Sequence, residues 1–261
     1  MATFVIVPGA WSGAWVWQWL APYLRDAGHQ VHLTALSGLG ERVDLAYPGI
    51  NLDTHVADVV TALEFADLRD FILVGGSYAG MIITGVADRV PDRLAQVIYL
   101  DATVPEDGQS FYDAWPDGAE SQVAERQEAE AAGTPGYLPP PLGWIEAAVT
   151  DATVRSVMLA RLTPHPLATF AQPIRLTNPA RARVPRAYIH CTITDGPEPP
   201  FFARVRADPS WRYAELPFDH LGPLSHPRET AEALIALGKD KTRIDGPRPP
   251  AWHPDDPDIR T

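Results

Sequence analysis

The feature that most constrains this chain is an apolar run, Phe71–Val74, followed at once by a Gly-Gly-Ser-Tyr-Ala-Gly turn at 75–80 and then by a helical pattern. The run predicts a buried strand, so Ser77 falls on a strand-to-helix turn. A serine in that position is held in a strained backbone conformation with its hydroxyl presented above the sheet. Gly75 and Ala79, two positions to either side, are small, as they must be where strand and helix nearly touch.

Two other uses of a glycine-rich turn compete with this interpretation. A phosphate-binding loop needs G-x-G-x-x-G or a Gly-Lys-Ser/Thr sequence, and residues 75–80 have neither. A serine at the start of a helix is also commonly a cap and nothing more. The turn alone therefore leaves a nucleophile and a helix cap open.

The rest of the chain places this turn in a recognisable architecture. Strands that are apolar throughout alternate with amphipathic helices, which predicts an α/β fold with a mostly parallel central sheet and helices on both faces. Sites in such sheets form at the carboxyl ends of the strands, and Ser77 follows such an end. The other predicted strands are 3–7, 30–36, 96–100, 186–191 and 211–216.

This alternation stops between about Glu106 and Arg183, where the sequence is rich in Pro and Gly and carries a charged helical stretch and several aromatic residues. We interpret 106–183 as a helical lid inserted between two parts of the core, 1–105 and 184–239, with a proline-rich tail at 240–261. Most aromatic residues of the lid are expected to pack it onto the core. Trp115 and Trp144, with Trp11 from the first loop, are the candidates for substrate contact.

Composition excludes several functional classes. The 261 residues include 33 acidic and 21 basic side chains, giving a net charge of −12, which argues against nucleic acid and anionic membrane surfaces as partners. The one cysteine, Cys191, cannot form an internal disulfide, and the amino terminus has neither a basic segment nor a long apolar one, so a cytoplasmic protein is predicted. No metal-ligand spacing occurs, and neither a metal nor a cofactor is predicted. A homodimer is left open.

A nucleophilic serine needs a base and a third group that orients the base. In an alternating sheet these partners are expected later in the chain, each in a loop after a strand. Asp195 follows the 186–191 strand and His220 follows the 211–216 strand, which gives the required order of Ser77, acid and His. Asp101, after the 96–100 strand, is the rival for the acid. Asp195 is favoured because the glycine and proline after it suit an exposed site loop.

Hydrolysis through a tetrahedral intermediate also needs donors for the oxyanion. The backbone N–H of Tyr78, at the start of the helix, can supply one. The loop after the first strand can supply another through the N–H of Ala10.

These motifs resemble the α/β-hydrolase superfamily, in particular the branch that holds plant methyl esterases, hydroxynitrile lyases and bacterial esterases such as pyrethroid hydrolases. The resemblance rests on 8–15 (Pro-Gly-Ala-Trp-Ser-Gly-Ala-Trp), 75–80, Cys191-Thr192 with Asp195, and Asp219-His220 with 224–227 (Leu-Ser-His-Pro). It implies Ser77 as nucleophile, His220 as base, Asp195 as its partner, and the amides of Ala10 and Tyr78 as the oxyanion hole.

Two departures from that branch bear on activity. Its members usually have His where this chain has Pro8, which alters the entry to the oxyanion loop without removing the amides. The lyases are similar but place a lysine directly after the catalytic histidine and a threonine in the oxyanion loop, where this chain has Leu221 and Gly9. Without a cation to receive cyanide, lyase activity is not expected.

The sequence thus predicts a cofactor-independent serine hydrolase that cleaves a carboxylic ester of a small, largely apolar molecule. A lactonase or carbon–carbon bond hydrolase on the same fold is an alternative. A small-molecule receptor without turnover is a second alternative, and an interaction role for the proline-rich tail is a third.

Overall fold

The computed structural model describes residues 1–149, 151–193 and 198–239. The predicted tail, 240–261, lies outside the described residues. In the described part of the chain, six strands form one parallel sheet in the order β2-β1-β3-β4-β7-β8. Their bounds are β1 Thr3–Val7, β2 Gln30–Leu33, β3 Phe71–Gly76, β4 Leu94–Leu100, β7 Arg186–Cys191 and β8 Trp211–Leu216. The predicted fold class is confirmed.

Helices cover both faces of this sheet. Successive residues of β3 alternate between two hydrophobic clusters, with Phe71 and Leu73 in one and Ile72 and Val74 in the other, as side chains of a strand must. On the first face lie α2 (Leu52–Phe65) and α3 (Ala79–Arg89), with α8 (Pro200–Ala207) further along. On the second lie α1 (Ala21–Asp26) and α10 (Pro227–Lys239). A strand that is buried on both sides is therefore apolar at every position, which is the pattern that the sequence shows.

The segment after the first loop forms two short helices. A 3₁₀ turn, Ala14–Trp17, is followed after three residues by α1. Pro22 lies in the first turn of α1, where its missing N–H has no intrahelical partner to lose, so a new helix begins there instead of the earlier one continuing.

The chain between β4 and β7 departs from the alternation, as predicted. It contains α4 (Gly118–Ala131), α5 (Leu142–Ala148), α6 (Ala152–Arg161) and α7 (Leu167–Ala171). Two short strands, β5 (Tyr137–Leu138) and β6 (His165–Pro166), pair antiparallel within it. The interpretation of 106–183 as a lid, with its boundaries, stays a prediction.

The described residues contain no helix that is both long and apolar enough to cross a membrane. Between β8 and α10 runs a short segment that includes α9 (Gly222–Ser225). This segment carries His220 to the same edge of the sheet as the turn after β3.

Candidate active site

Ser77 lies on the tight turn between β3 and α3. Its φ of +57° is in the left-handed region, where a residue with a Cβ is strained by about 1–3 kcal/mol. A Cβ added to Gly75 would lie 3.1 Å from the Cβ of Ala79 and 2.9 Å from Ile83, and one added to Gly80 would lie 1.9 Å from the carbonyl oxygen of Thr103. Small residues are therefore required on both sides of the serine, and the predicted strand–turn–helix is confirmed.

His220 follows β8 and is oriented by a carboxylate from another strand. Its Nδ1 lies 2.6 Å from Oδ2 of Asp101, a short charge-assisted hydrogen bond. Oδ1 of the same carboxylate accepts from the backbone N–H of Cys191 at 3.3 Å and lies 3.6 Å from Nδ1 of His190. Since Nδ1–H of His220 faces Asp101, Nε2 is left to accept a proton.

Asp101 directly follows the last residue of β4, and β4 lies next to β3 in the sheet. Its backbone is also in the left-handed region, at φ +45°, and its N–H donates to the carbonyl of Ile189 at 2.7 Å. The sequence favoured Asp195 as the partner of His220, but Asp195 lies outside the described residues. Within the described residues it is the rival carboxylate, Asp101, that contacts the imidazole.

This contact changes the pKa of both groups. Burial alone would raise the pKa of Asp101, but the nearby ring of His190, the hydrogen bonds from His220 and the Cys191 amide, and the charge of His220 hold it well below its usual range. Partial burial alone would lower the pKa of His220, whose side chain is 40% exposed, but the hydrogen bond and charge of Asp101, with the charge of Asp219, raise it above its usual value. The carboxylate therefore stays ionised at neutral pH and favours a more basic imidazole.

The loop after β1 passes beside the serine. A Cβ added to Gly9 would lie 3.2 Å from the Cβ of Ser77 and 3.8 Å from its Oγ, so a side chain there would crowd the hydroxyl. The next residue is Ala10, and Trp11 after it has a left-handed φ of +55°. The loop backbone thus approaches Ser77 at the point where an oxyanion donor is predicted.

Tyr78 provides the second predicted donor from the start of α3. Tyr78 is the N-cap residue of α3, and an amide at that position has no carbonyl one turn earlier in the helix to bond to. Its ring is fully buried, and its hydroxyl lies 3.0 Å from Nδ1 of His55.

Ser77 and His220 line one cavity of about 300 Å³. Among the described contacts no hydrogen bond joins their side chains, and such bonds are often long in ligand-free enzymes. Apart from His220 and the hydroxyls of Ser12 and Ser77, the lining side chains are apolar or aromatic. They come from the first loop and the 3₁₀ turn after it, from the end of β4, from α5 and α6 with their flanking residues and from the segment after β8, and include Trp11, Val16, Trp17, Leu100, Pro141, Trp144, Ile145, Met158, Leu162, Leu221, Pro223 and Leu224.

Two of the three predicted substrate-contacting tryptophans line this cavity, and one does not. Trp11 forms part of the wall beside Ser77, and Trp144 on α5 lies at its edge with 45 % of its surface exposed. Trp115 instead packs against Phe111 and Phe201, with ring centroids 6.1 and 6.0 Å away. Its aromatic character reflects core packing.

Sequence reasoning missed the groups that hold the oxyanion loop. The carboxylate of Glu41 accepts from the N–H groups of Ala14 and Trp15, both at 2.9 Å, and so caps the first turn after the loop. His165 accepts from the N–H of Trp11 at 3.2 Å. The sequence separates these partners by 26 to 154 residues, and no spacing rule connects them.

A serine on a strained turn at the carboxyl end of a central parallel strand, with a histidine–carboxylate pair at the same edge, defines an α/β-hydrolase fold. The chain belongs to the alpha/beta hydrolase family, which it matches over residues 4–233. The family resemblance is thereby confirmed.

Individual relatives cover nearly the whole chain. A carbendazim hydrolyzing esterase from Nocardioides sp. (strain SG-4G) is 37% identical over 247 residues, which are 91% of this chain and 100% of that protein. Polyneuridine aldehyde esterase from Rauvolfia serpentina is 25% identical over 255 residues, 90% of this chain and 94% of that one. Among solved structures, an extracellular α/β-hydrolase from a Paenibacillus species is similar, with a TM-score of 0.80, 26% identity, and coverage of 92% of this chain and 100% of that chain.

Proposed function

We propose that the protein is a carboxylic ester hydrolase in which Ser77 is the nucleophile, His220 the general base and Asp101 the group that orients His220. The observation that carries the proposal is the joint geometry of the strained serine turn and the His220–Asp101 hydrogen bond of 2.6 Å at one apolar cavity. The esterase names of two relatives that match along their whole length or nearly so support the same reaction class.

The chemistry runs in two acyl-transfer steps. Nε2 of His220 accepts the proton of Ser77 as Oγ attacks the ester carbonyl, and the tetrahedral intermediate collapses as the imidazolium returns that proton to the leaving alcohol. Water, activated by the same nitrogen, then attacks the acyl-enzyme and releases the acid. Asp101 keeps Nδ1 protonated and stabilises the imidazolium, because its own pKa is low enough for it to remain a carboxylate.

The developing oxyanion is received by the backbone N–H groups of Ala10 and Tyr78. The close approach of the Gly9 backbone to Ser77 and the position of Tyr78 at the start of α3 support this assignment. Loss of one such donor typically costs about 10² to 10³ in rate.

The cavity lining favours uncharged, largely apolar esters. Among the described residues that line it there is no Asp, Glu, Lys or Arg, so a charged substrate would lose its hydration without gaining an ionic partner from them. The lining also supports a hydrolase over a hydroxynitrile lyase, because Leu221 follows His220 where a lyase has its lysine.

Ser77→Ala tests the proposal directly. With p-nitrophenyl acetate and butyrate as substrates we expect kcat to fall at least 10³-fold, since the acyl-enzyme route requires the hydroxyl of Ser77. Ser210→Ala, at the opposite end of β8, is the matched control and should keep wild-type rates. A fluorophosphonate should add one adduct mass to the wild type and none to Ser77→Ala.

Wild-type turnover by Ser77→Ala would end the proposal. A panel of esters, lactones and carbendazim, the compound in the name of the Nocardioides relative, then separates an esterase from the lactonase alternative. Tight binding without product would favour the receptor alternative. The cytoplasmic location stays a prediction, and a homodimer stays an open possibility.

A further inference from the structure

Two histidines outside the proposed triad lie buried beside the oxyanion loop and the serine turn. His55 on α2 and His165 on β6 are both 0% exposed, and their ring centroids are 6.3 Å apart. The ring of Tyr78 packs edge-on against both, at 5.9 Å from His55 and 5.0 Å from His165. A buried imidazole is costly unless its nitrogens are paired, so the partners of each ring indicate its role.

His165 holds the oxyanion loop at Trp11. Its Nδ1 accepts from the backbone N–H of Trp11 at 3.2 Å, while the carbonyl of Trp11 accepts from the N–H of Thr163 at 2.9 Å. The backbone N–H and the backbone carbonyl of Trp11 are thus both bonded to residues 163–165. These bonds hold a residue whose φ of +55° is unfavourable. Trp11 directly follows Ala10, so the same two bonds fix the peptide next to the first oxyanion donor.

The partners of His165 also determine which of its ring nitrogens carries the hydrogen. Trp11 N–H can only donate, so Nδ1 must carry a lone pair and Nε2 must carry the hydrogen. Nε2 lies 2.7 Å from Oγ1 of Thr169, which in turn donates to the carbonyl of Pro166 at 2.8 Å. The ring is therefore a neutral connector, and a protonated ring would direct a second N–H at the Trp11 amide.

His55 holds Tyr78 in the same manner. Its Nε2 lies 3.0 Å from the carbonyl of Ser37, which can only accept, so Nε2 carries the hydrogen. Nδ1 then accepts from the hydroxyl of Tyr78 at 3.0 Å. The side chain of the residue that supplies the second oxyanion donor is thereby tied to α2.

We propose that His165 and His55 are positioning residues that hold the two oxyanion-hole amides, of Ala10 and Tyr78, in their reactive geometry. The inference rests on the proposed function, since it concerns the same acyl-transfer site. The two buried histidines would thus stabilise the transition state indirectly. They would act through the backbone amides that they hold in place and would not contact the substrate.

The protonation behaviour of the two rings agrees with this role. Burial lowers the pKa of His55 to about 4, against smaller opposing effects of the Ser37 carbonyl and the charge of Asp58, and with Arg42 acting in the same direction as burial. Burial and the neighbouring His55 lower the pKa of His165 well below its ordinary value. Both rings stay neutral across the working range of an esterase, so the acceptors for Trp11 and Tyr78 persist.

His165→Leu against His165→Asn is the central test. Leucine fills the volume but accepts no hydrogen bond, whereas an asparagine amide oxygen can replace Nδ1 as the acceptor for Trp11. We expect kcat for p-nitrophenyl butyrate to fall about 10- to 100-fold in His165→Leu with little change in KM, and to recover most of that loss in His165→Asn.

Inhibitor affinity separates positioning from a merely structural role. An alkyl trifluoromethyl ketone adds to Ser77 and places an oxyanion in the hole, whereas the corresponding secondary alcohol fills the cavity without one. His165→Leu should weaken the ketone by the same factor as kcat/KM and leave the alcohol unchanged. Equal loss for both ligands, or wild-type kcat, would overturn the inference.

Tyr78→Phe tests the His55 half and keeps the inference falsifiable if His165→Leu does not fold. It removes the hydroxyl from which His55 accepts and which also interacts with Thr169, the partner of His165, and kcat should fall about 3- to 10-fold with a matched loss of ketone affinity. Tyr99→Phe, which removes a buried hydroxyl bonded to Thr84 at 2.8 Å and absent from the described cavity lining, is the control and should leave kcat unchanged. Equal rates in both phenylalanine variants would refute the role of His55.

The two proposals fail in different ways. Activity that survives Ser77→Ala would remove the proposed function and with it the site that the histidines serve. Activity lost in Ser77→Ala but intact in His165→Leu and Tyr78→Phe would leave the esterase in place and remove the inference alone.

Discussion

The two sides of the reaction centre are held in contrasting ways. In the proposed site, the oxyanion side around Ala10 and Tyr78 is contacted by two buried side chains, His165 at Trp11 and His55 at the Tyr78 hydroxyl. The base side rests on His220, whose side chain is 40% exposed and whose ring is oriented by one short hydrogen bond to Asp101. The difference follows from their tasks: donors for an oxyanion are effective only if they are already in place, whereas a base must accept a proton and release it.

Removing the carboxylate of Asp101 is expected to have the largest effect on activity. We expect Asp101→Asn to lower kcat about 10²- to 10⁴-fold, because the neutral amide can bind the wrong tautomer of His220 and does not stabilise its cation. Asp195→Asn is the paired measurement and should keep activity within a few-fold of the wild type. The opposite ranking of the two variants would restore the assignment that the sequence favoured.

A substitution at Glu41 should disturb the oxyanion side without touching the cavity, because Glu41 holds the turn that follows the loop of Ala10. Glu41→Gln replaces a carboxylate that accepts from the amides of Ala14 and Trp15 by a group with one acceptor oxygen. A loss of about 1 kcal/mol in unfolding free energy and a several-fold lower kcat are expected, measured by urea denaturation and steady-state kinetics. Glu64→Gln, on the exposed surface of α2, should change neither quantity, and equal effects of both variants would contradict the role of Glu41.

The cavity wall offers a smaller perturbation that should leave both sides intact. Trp144→Ala removes apolar surface that lines the cavity, so KM for p-nitrophenyl butyrate should rise about 3- to 10-fold while kcat stays nearly constant. Leu142→Ala, on the same helix and also exposed, is the control. A change in kcat instead of KM would mean that Trp144 affects the reacting groups themselves.

The smallest expected effect is the pH dependence of kcat/KM, which tests the pairing of His220 with Asp101. His220 must be neutral to accept the serine proton, and its pKa is raised above 6.5, so kcat/KM should fall as pH decreases through a midpoint above 6.5. In Asp101→Asn the residual rate should show a lower midpoint, because the carboxylate that raises the pKa is gone. A midpoint unchanged by this substitution would contradict the pairing of the two residues.

The sequence predicts the fold well because strand periodicity is a local property. The strands at Arg186–Cys191 and Trp211–Leu216 have the predicted bounds. β2 is shorter than predicted and ends at Leu33. The serine turn was equally predictable, since glycine and alanine are required by contacts within a few residues of Ser77.

The partners of the site residues were harder to predict because they depend on which strand ends meet in space. Asp101 and Asp195 both follow strands. The pattern of residues does not show which of the two carboxylates lies close to His220 in the folded chain. Trp115 could not be distinguished from Trp144 by residue type, since both are tryptophans of the same segment. His165 lies between two prolines in the sequence, a pattern that indicates no partner, and its bond to Trp11 spans 154 residues.

The absence of lysine and arginine from the described cavity lining has a consequence for the end of the cycle. Hydrolysis turns a neutral ester into a carboxylate anion, which finds no cation there to retain it and regains its full hydration only by leaving. The acid product should therefore inhibit the enzyme weakly, and departure of the spent acyl group should seldom limit turnover.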